Sequence, residues 1–522
     1  MSRKIYTHQR PLEFPVFLTD TNSDARWLKI FIYFSAFILI VRLLTIAFSS
    51  LNLSVDEAQY WRWSTIFDWG YYSKPPMIAW VIGASTFIFG DAEWAIRLFA
   101  PFLHATSGLV LFLLGRKLAD AKTGCVAGLI YLLMPGVTLS SSIISTDAIL
   151  LTFWSSSLYL LFKLREAPRV WVAAALGATI GVGFLSKYAM VYFLIGIALS
   201  LILDRELRKA LFSSKGAITL GAALIVLTPH ILWSVSNGFK TIGHTADNAN
   251  WGQDQDLFNL DQMLTFFFDQ FGVFGPTGFL LLIMLIGTLA FMKGRLRGDI
   301  RGWMLLSFIL PPLLIILVQA FISRAHANWA ATAYPAAAVL VALWVTQSSG
   351  RWIRYILWGG LAFNFVLAMA FSYFVTAPPS VANAAGFSNA FKRVRAWPET
   401  VDVIMQAARD MNATSIIVDE REIWHGLDYY GRDGSVDLPL RSWQIAGVPQ
   451  SFSEETPISP AEAENALVLN VRPRHLPLLS GDFEVFEPAG EIEIDLGRGR
   501  TRHFRVFHAS GFNPQPRTSA EE

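Results

Sequence analysis

Eleven apolar runs, each of spanning or near-spanning length, limit what this 522-residue chain can fold into. They fall at roughly 27–48, 93–115, 123–143, 147–162, 170–186, 188–203, 216–234, 272–292, 303–322, 329–346 and 352–374. In hydrocarbon every backbone N–H and C=O must bond within the protein, so runs of this length and composition are helices. Only 16% of residues are charged, against about 25% in soluble domains. The expectation is an all-α polytopic membrane domain of about 11 transmembrane helices over residues 27–374. About 26 polar residues precede the first run, so 1–26 reads as a cytoplasmic N-terminal segment and the first helix as a retained anchor rather than a cleaved signal. The net charge of +2 gives no sign of a nucleic-acid partner, and a single cysteine, Cys125, excludes an intramolecular disulfide.

Basic residues orient the spans. Arg3, Lys4, Arg10, Arg26 and Lys29 precede the first. Further clusters at 116–122, 163–169, 205–215, 293–301 and 351–354 fall on every second connection. The positive-inside rule then puts the N-terminus in the cytoplasm and the first loop, 49–92, outside; an odd number of spans puts the C-terminus outside as well. The implied location is the inner membrane, multi-pass, with the C-terminal part in the periplasm. Residues 170–203 must cross and return in about 34 residues where two full spans need roughly 40, so short helices are expected there, with Gly181, Gly183 and Ser186 suited to close packing.

After Phe374 the composition changes. Residues 375–395 read as a linker and 396–512 as a small extracytoplasmic α/β domain. Its expected elements are a helix at Val401–Met411, a strand at Ser415–Val418 and a helix through Ile423–Tyr430. Further strands are expected near Leu467–Val471, Glu491–Ile494 and Phe504–Phe507. The tail 513–522 reads as disordered. Neither an internal repeat nor an inverted symmetry between halves is visible.

The first outer loop is long, aromatic and sparsely charged. It holds Tyr60, Trp61, Trp63, Trp69, Tyr71 and Tyr72 beside Asp56, Glu57 and Lys74. Ionisable residues near the membrane mark functional sites by default. Here Asp56, Glu57, Lys74, Asp147, Lys187, His244, Arg324 and His326 all map to outer loops or outer ends of spans, which describes a site on one face rather than a path across. Neighbours on a helix point about 100° apart, so Asp56 and Glu57 are not a proton-sharing dyad. Glu57 reads two ways, as a catalytic group or as the partner of Ser54 in a capping box. Lys74 precedes two prolines that stiffen its segment, which suits a phosphate contact, with a snorkelling lysine as the plainer reading. Asp147 reads as a site acid or an N-cap. Arg324 and His326 lie in a dense SRAHANW segment suited to an anion. The chain has no Walker A motif, GxGxxG opening a helix, HExxH or GxSxG.

Asp56-Glu57 after the first span, GYYSKPPM around Lys74, STDA at Asp147, GFLSKY at Lys187 and HANWAA at His326 together resemble a known family. It is the bacterial protein-mannosyltransferase-like superfamily of GT-C glycosyltransferases, nearest the aminoarabinose-transferase and lipid A galacturonosyltransferase group. The resemblance covers essentially the whole membrane part. It implies an integral enzyme that moves a sugar, galacturonic acid or a related one, from a polyprenyl-phosphate carrier to a lipid or glycolipid acceptor such as lipid A or lipopolysaccharide core, with inversion. It implies Asp56 as base toward the acceptor hydroxyl and Lys74 at the donor phosphate, with Tyr71, Tyr72, Asp147, Lys187, Arg324 and His326 lining the substrate. One departure is notable. An acidic residue that commonly precedes the lysine and joins a metal site is Ser73 here, so no cofactor is assigned and Glu57, Asp147 and His244 remain weak metal candidates. A transporter or flippase of a lipid-linked sugar is the alternative reading, and it requires functional polar residues on both faces.

Overall fold

The computed structural model describes residues 21–247, 258–291, 299–446 and 449–517. Most of the proposed cytoplasmic segment 1–26 lies outside them, as do 518–522. The first helix, Thr21–Ala47, begins six residues before the apolar run.

Among the described residues, seven helices are long and apolar enough to cross a membrane, or up to nine if each of two bent pairs counts as one span. The seven coincide with the first, second, fourth, seventh, ninth, tenth and eleventh expected runs. The others depart from the simple picture. Run 123–143 is broken into Ala121–Leu132 and Pro135–Ser140, with Pro135 as the first residue of the new helix after a two-residue break. Val170–Ser186 has 17 residues. Tyr188–Leu203 turns by 120° into Arg205–Leu211, and Leu260–Val273 turns by 114° before Pro276–Thr288. The short crossing expected at 170–203 is what the helix lengths show.

Burial sorts the helices into axis and rim. Ala327–Gln347 is 83% buried over its apolar window, while Ser214–Ser236 is 22% buried and turns Leu220, Ile225 and Leu232 outward. The axial segment reads YPAAAVLVAL, whose small residues let neighbouring backbones approach on all sides.

The first loop is built, not slack. Ser54 caps Val55–Ser64, and a second, uncharged and mostly apolar helix, Met77–Phe89, starts directly after Pro75-Pro76. That second helix lies inside the segment 49–92 and was not among the expected elements.

The C-terminal domain holds a five-stranded sheet of β1 (Ser415–Val418), β2 (Leu440–Ser442), β3 (Ala466–Asn470), β4 (Phe483–Gly497) and β5 (Arg500–Phe512). The order is β2-β1-β3-β5-β4, with β1 parallel to β2 and β3, and β5 antiparallel to β3 and β4. Helices Trp397–Asp410 and Arg421–Tyr430 contribute Trp397, Ile404 and Leu427 to a core shared with Leu467 and Phe504. The expected strands and helices are present. Ser415–Val418 keeps its bounds, β3 is shifted by one residue, both helices start earlier, and β4 and β5 are longer than expected. The three-residue β2 and the helix Leu476–Gly481 are additions.

The segment 375–395 is docked rather than free. It forms short helices, and its Val375 and Val394 carbonyls accept from Ser50 and Asn52 of the first loop at 2.9 Å each. Residues 513–517, placed by composition in a disordered tail, are also held: the Asp482 carboxylate accepts from the Gln515 amide at 2.8 Å and pairs with Arg517.

Candidate functional site

The capping box decides how the two neighbouring acids divide. Ser54 Oγ accepts from the Glu57 amide, and Glu57 Oε2 accepts in return from the Ser54 amide at 3.0 Å. This turns Glu57 inward, where it is 1% exposed against Arg97 at 2%. Arg97 donates to both Glu57 oxygens at 2.8 and 3.1 Å, and the Ile144 amide donates to Oε1 at 3.1 Å. The same guanidinium donates to the carbonyls of Leu51 and Asn52. One buried pair thus ties the exit of the first span, the loop helix and the segment before Thr146 together. Both oxygens of Glu57 are occupied, so of the two readings of Glu57 the geometry is that of the capping box, and no face of it is left for a substrate.

Asp56, one residue earlier, points the other way, and its side chain is 56% exposed. Its Oδ1 accepts from Arg421 Nη2 at 2.8 Å, while Arg421 Nη1 donates to Gln59 Oε1 at 2.9 Å. Among the described residues, Asp56 Oδ2 accepts no hydrogen bond.

Lys74 is half-buried beside this acid, on the segment stiffened by Pro75 and Pro76. Burial pulls its ammonium down to about 8, opposed by the fields of Asp56 and Asp147 and reinforced by those of Lys187 and Arg421. These five groups share one electrostatic neighbourhood; three cations against two carboxylates leave one net positive charge. Among the described residues Lys74 Nζ has neither an ion pair nor a hydrogen bond. A half-dehydrated ammonium is stabilised by an anion placed beside it.

Asp147 stands on the other side of the neighbourhood. It sits within the first turn of Thr146–Glu166, whose cap is Ser145, and is therefore not the N-cap. Its Oδ1 accepts from Lys187 Nζ at 2.7 Å and its Oδ2 from Asn328 Nδ2 at 2.8 Å. Three motifs far apart in sequence, STDA, GFLSKY and HANWAA, meet in that triad. Lys187 can stand there because its helix ends at Ser186, which leaves it extended between two helical segments.

The two tyrosines of the loop are engaged elsewhere. The Tyr71 hydroxyl donates to the Ile66 carbonyl at 2.7 Å and its ring stacks on Trp63. The Tyr72 hydroxyl donates to the Pro449 carbonyl of the C-terminal domain at 2.7 Å. Both hydroxyls hold the loop in place. Gly70 makes this path possible: a Cβ there would sit 2.3 Å from the Trp233 ring. Arg324 and His326 are exposed, with the His326 ring edge-on to Trp329 at 5.3 Å.

The weak metal candidates do not assemble. Glu57 is held by Arg97, Asp147 by Lys187 and Asn328, and His244 stands edge-on to Tyr72 at 5.7 Å. Among the described residues the one group of metal-ligand spacing is Glu491, Glu493 and His503, on the β4–β5 hairpin.

Sequence reasoning missed Arg421, Gln59, Arg97 and the part of Asn328. Arg421 lies 365 residues from the acid it touches, and nothing in its local sequence marks it. Gln59 carried a usable signal, being one turn along the helix from Asp56 and hence on the same face.

A family model described as dolichyl-phosphate-mannose-protein mannosyltransferase matches residues 73–233. The lipid A galacturonosyltransferase of Rhizobium johnstonii is 34% identical over 424 residues, 81% of this chain and 86% of that one. An undecaprenyl phosphate-alpha-4-amino-4-deoxy-L-arabinose arabinosyl transferase of Pseudomonas aeruginosa is 30% identical over 170 residues, 31% of this chain and 30% of that one. Among solved structures, ArnT from Cupriavidus metallidurans bound to undecaprenyl phosphate matches with a TM-score of 0.62 at 16% identity, over 94% of this chain and 99% of that chain. That last likeness is one of fold.

Proposed function

The chain belongs to the protein-mannosyltransferase-like GT-C glycosyltransferases, on the branch of lipid A galacturonosyltransferases and aminoarabinose transferases, and from that membership we propose how its site works. The enzyme takes a sugar from a polyprenyl-phosphate carrier and passes it to a glycolipid of the lipid A or lipopolysaccharide class. The relative that matches most of the chain favours lipid A as acceptor and galacturonic acid as sugar. The observation that carries the site reading is the pair formed by an exposed acid, Asp56, and a half-buried ammonium, Lys74, on one loop, each with a polar atom unpaired among the described residues.

In this reading Asp56 Oδ2 takes the proton of the acceptor hydroxyl as that oxygen attacks the anomeric carbon. The bond from that carbon to the phosphate oxygen breaks, and the polyprenyl phosphate leaves with the electron pair. A phosphate needs no proton to leave; it needs a cation at the oxygen where charge collects, which Lys74 supplies. Attack from the side opposite the phosphate inverts the anomeric centre. The Asp147–Lys187–Asn328 triad borders the sugar, and Arg324 and His326 offer donors at the outer mouth.

The alternating basic clusters support an inner-membrane orientation with a cytoplasmic N-terminus and a periplasmic C-terminal domain, which places the site where lipid A presents its hydroxyls. Reporter fusions at the C-terminus test that placement: a periplasm-dependent phosphatase is active there, and a cytoplasm-dependent reporter is not.

The site reading is tested with purified enzyme, polyprenyl-phosphate-linked galacturonic acid and lipid A. Lys74→Ala should raise the apparent KM for donor by about 10- to 100-fold, the worth of a hydrogen bond to a charged group. An unchanged donor KM removes Lys74 from the phosphate.

A further inference from the structure

We infer that Arg421 is a positioning residue for the base, so that the C-terminal domain completes the active site across the domain boundary. The inference rests on the assignment of Asp56 as base.

Three observations converge. First, the guanidinium bridges two residues of one helix face, Asp56 Oδ1 at 2.8 Å and Gln59 Oε1 at 2.9 Å. Gln59 is 2% exposed and cannot swing away. An exposed aspartate would otherwise rotate among rotamers; with Oδ1 held by a guanidinium that is itself held, Oδ2 faces one direction. Secondly, the helix that carries Arg421 is fixed to the loop by several bonds. The Leu53 amide donates to the Tyr430 hydroxyl at 2.7 Å, and that hydroxyl in turn donates to Glu93. The Tyr429 hydroxyl donates to the Asp91 carbonyl at 2.7 Å while its ring meets Trp61 edge-on. Tyr72 donates to Pro449, and the Trp397 amide to Asn52 Oδ1 at 3.1 Å. Thirdly, Glu57 fixes the helix that carries Asp56, Val55–Ser64, through Arg97. The helix is clamped on one side by the membrane domain and on the other by the C-terminal domain, with Asp56 between them.

Lysine cannot reproduce the bridge, because its point charge lacks the planar fork that meets two acceptors at once. Steady-state kinetics on the purified full chain should therefore separate Arg421→Ala, Arg421→Lys and Gln59→Leu. Arg421→Ala should lower kcat by about 10- to 100-fold, the scale of a small misplacement of a reacting group, with the donor KM unchanged. Arg421→Lys should be intermediate, and guanidinium ion at a non-denaturing concentration should restore part of the activity of Arg421→Ala but none to Arg421→Lys. Gln59→Leu, which removes one of the two acceptors of Arg421 but keeps the contacts of Tyr72, Tyr429 and Tyr430 between the domains, should lower kcat in the same direction with an unaltered thermal midpoint. A kcat for Arg421→Ala within twofold of native, or above it, overturns the inference. So does a loss that follows the thermal midpoint, with Gln59→Leu unaffected and no rescue by guanidinium. Asp56→Asn in the same assay separates the two claims: if it abolishes transfer while Arg421→Ala is near native, only the positioning role fails; if it retains turnover, the base assignment itself fails.

Discussion

At the scale of single residues, the adjacent acids differ because one is used by the fold and the other is left over. Glu57 and Arg97 form a buried, fully hydrogen-bonded pair, and removing one member strands the other charge. Glu57→Ala should cost about 3–5 kcal/mol of stability, read as a lowered thermal midpoint in detergent, with transfer lost in step with folding. Activity lost by a variant with native stability would return Glu57 to the chemistry. Lys74 carries the opposite signature. Its proton is held less tightly in the folded protein, with a value of about 8, than in the unfolded chain at 10.5. Between those values the native state binds fewer protons, so the destabilising effect of burying this charge is fully present below about 8 and is relieved as pH rises. Function runs the other way: the ammonium that meets phosphate is present below about 8 and lost above it. Donor kcat/KM of the native enzyme should fall with rising pH through about 8, about tenfold per unit once the lysine is neutral. Lys74→Arg should move that limb out of range, and Lys74→Met should raise the thermal midpoint near neutral pH while abolishing donor use. A limb unmoved in Lys74→Arg would assign it to another group. The sequence marked both residues by type and place; it left the capping box open as an alternative, because a carboxylate's direction depends on whether an arginine waits 40 residues on.

At the scale of elements, what was legible is what local composition enforces. Long apolar runs became helices, the alternating segments became strands, and the crowding of 170–203 forced short helices. Gly177 and Gly181 show how those helices fit. A Cβ on Gly177 would lie 2.0 Å from the Thr219 carbonyl oxygen and one on Gly181 2.8 Å from Val226, so Val170–Ser186 packs almost backbone to backbone on Ser214–Ser236. Gly177→Ala should destabilise the protein by about 1–3 kcal/mol, as overpacking does, because a carbonyl cannot yield as a flexible side chain can. Gly221 is the control: it lies on the same partner helix and faces open space, so Gly221→Ala should leave the thermal midpoint unchanged or higher. Equal effects of the two would contradict the close approach. What was not legible were the bends. Hydropathy ends the apolar run 188–203 at Asp204 but does not give the 120° turn into Arg205–Leu211, nor the 114° turn before Pro276–Thr288. The helix Met77–Phe89 was hidden for a similar reason: at 13 residues it is too short to span and lies in a segment read as loop.

At the scale of the whole molecule, the protein is a membrane domain whose first loop is finished by a second domain. The proposed site draws on Asp56, Lys74, Asp147, Lys187, Asn328 and Arg421, and the bonds Lys187–Asp147, Asn328–Asp147 and Arg421–Asp56 are all long-range. Motif resemblance pointed to Asp56, Lys74, Asp147 and Lys187 because each stands in a distinctive local setting. It could not find Arg421, whose meaning comes only from the docking of a domain that begins after residue 395. That docking also accounts for the segment 375–395, which composition makes a linker and the first loop makes a structural strip. The central claim is that Asp56 is the base of a sugar transfer from a polyprenyl phosphate to a glycolipid. It is tested most directly by incubating native and Asp56→Asn enzyme with polyprenyl-phosphate-linked galacturonic acid and lipid A, and reading the mass of the acceptor. The account predicts an acceptor heavier by one uronic acid residue with the native enzyme. For Asp56→Asn, folded and membrane-inserted, it predicts a rate lower by at least about 100-fold, the scale of general-base catalysis; near-native product formation by Asp56→Asn would contradict it.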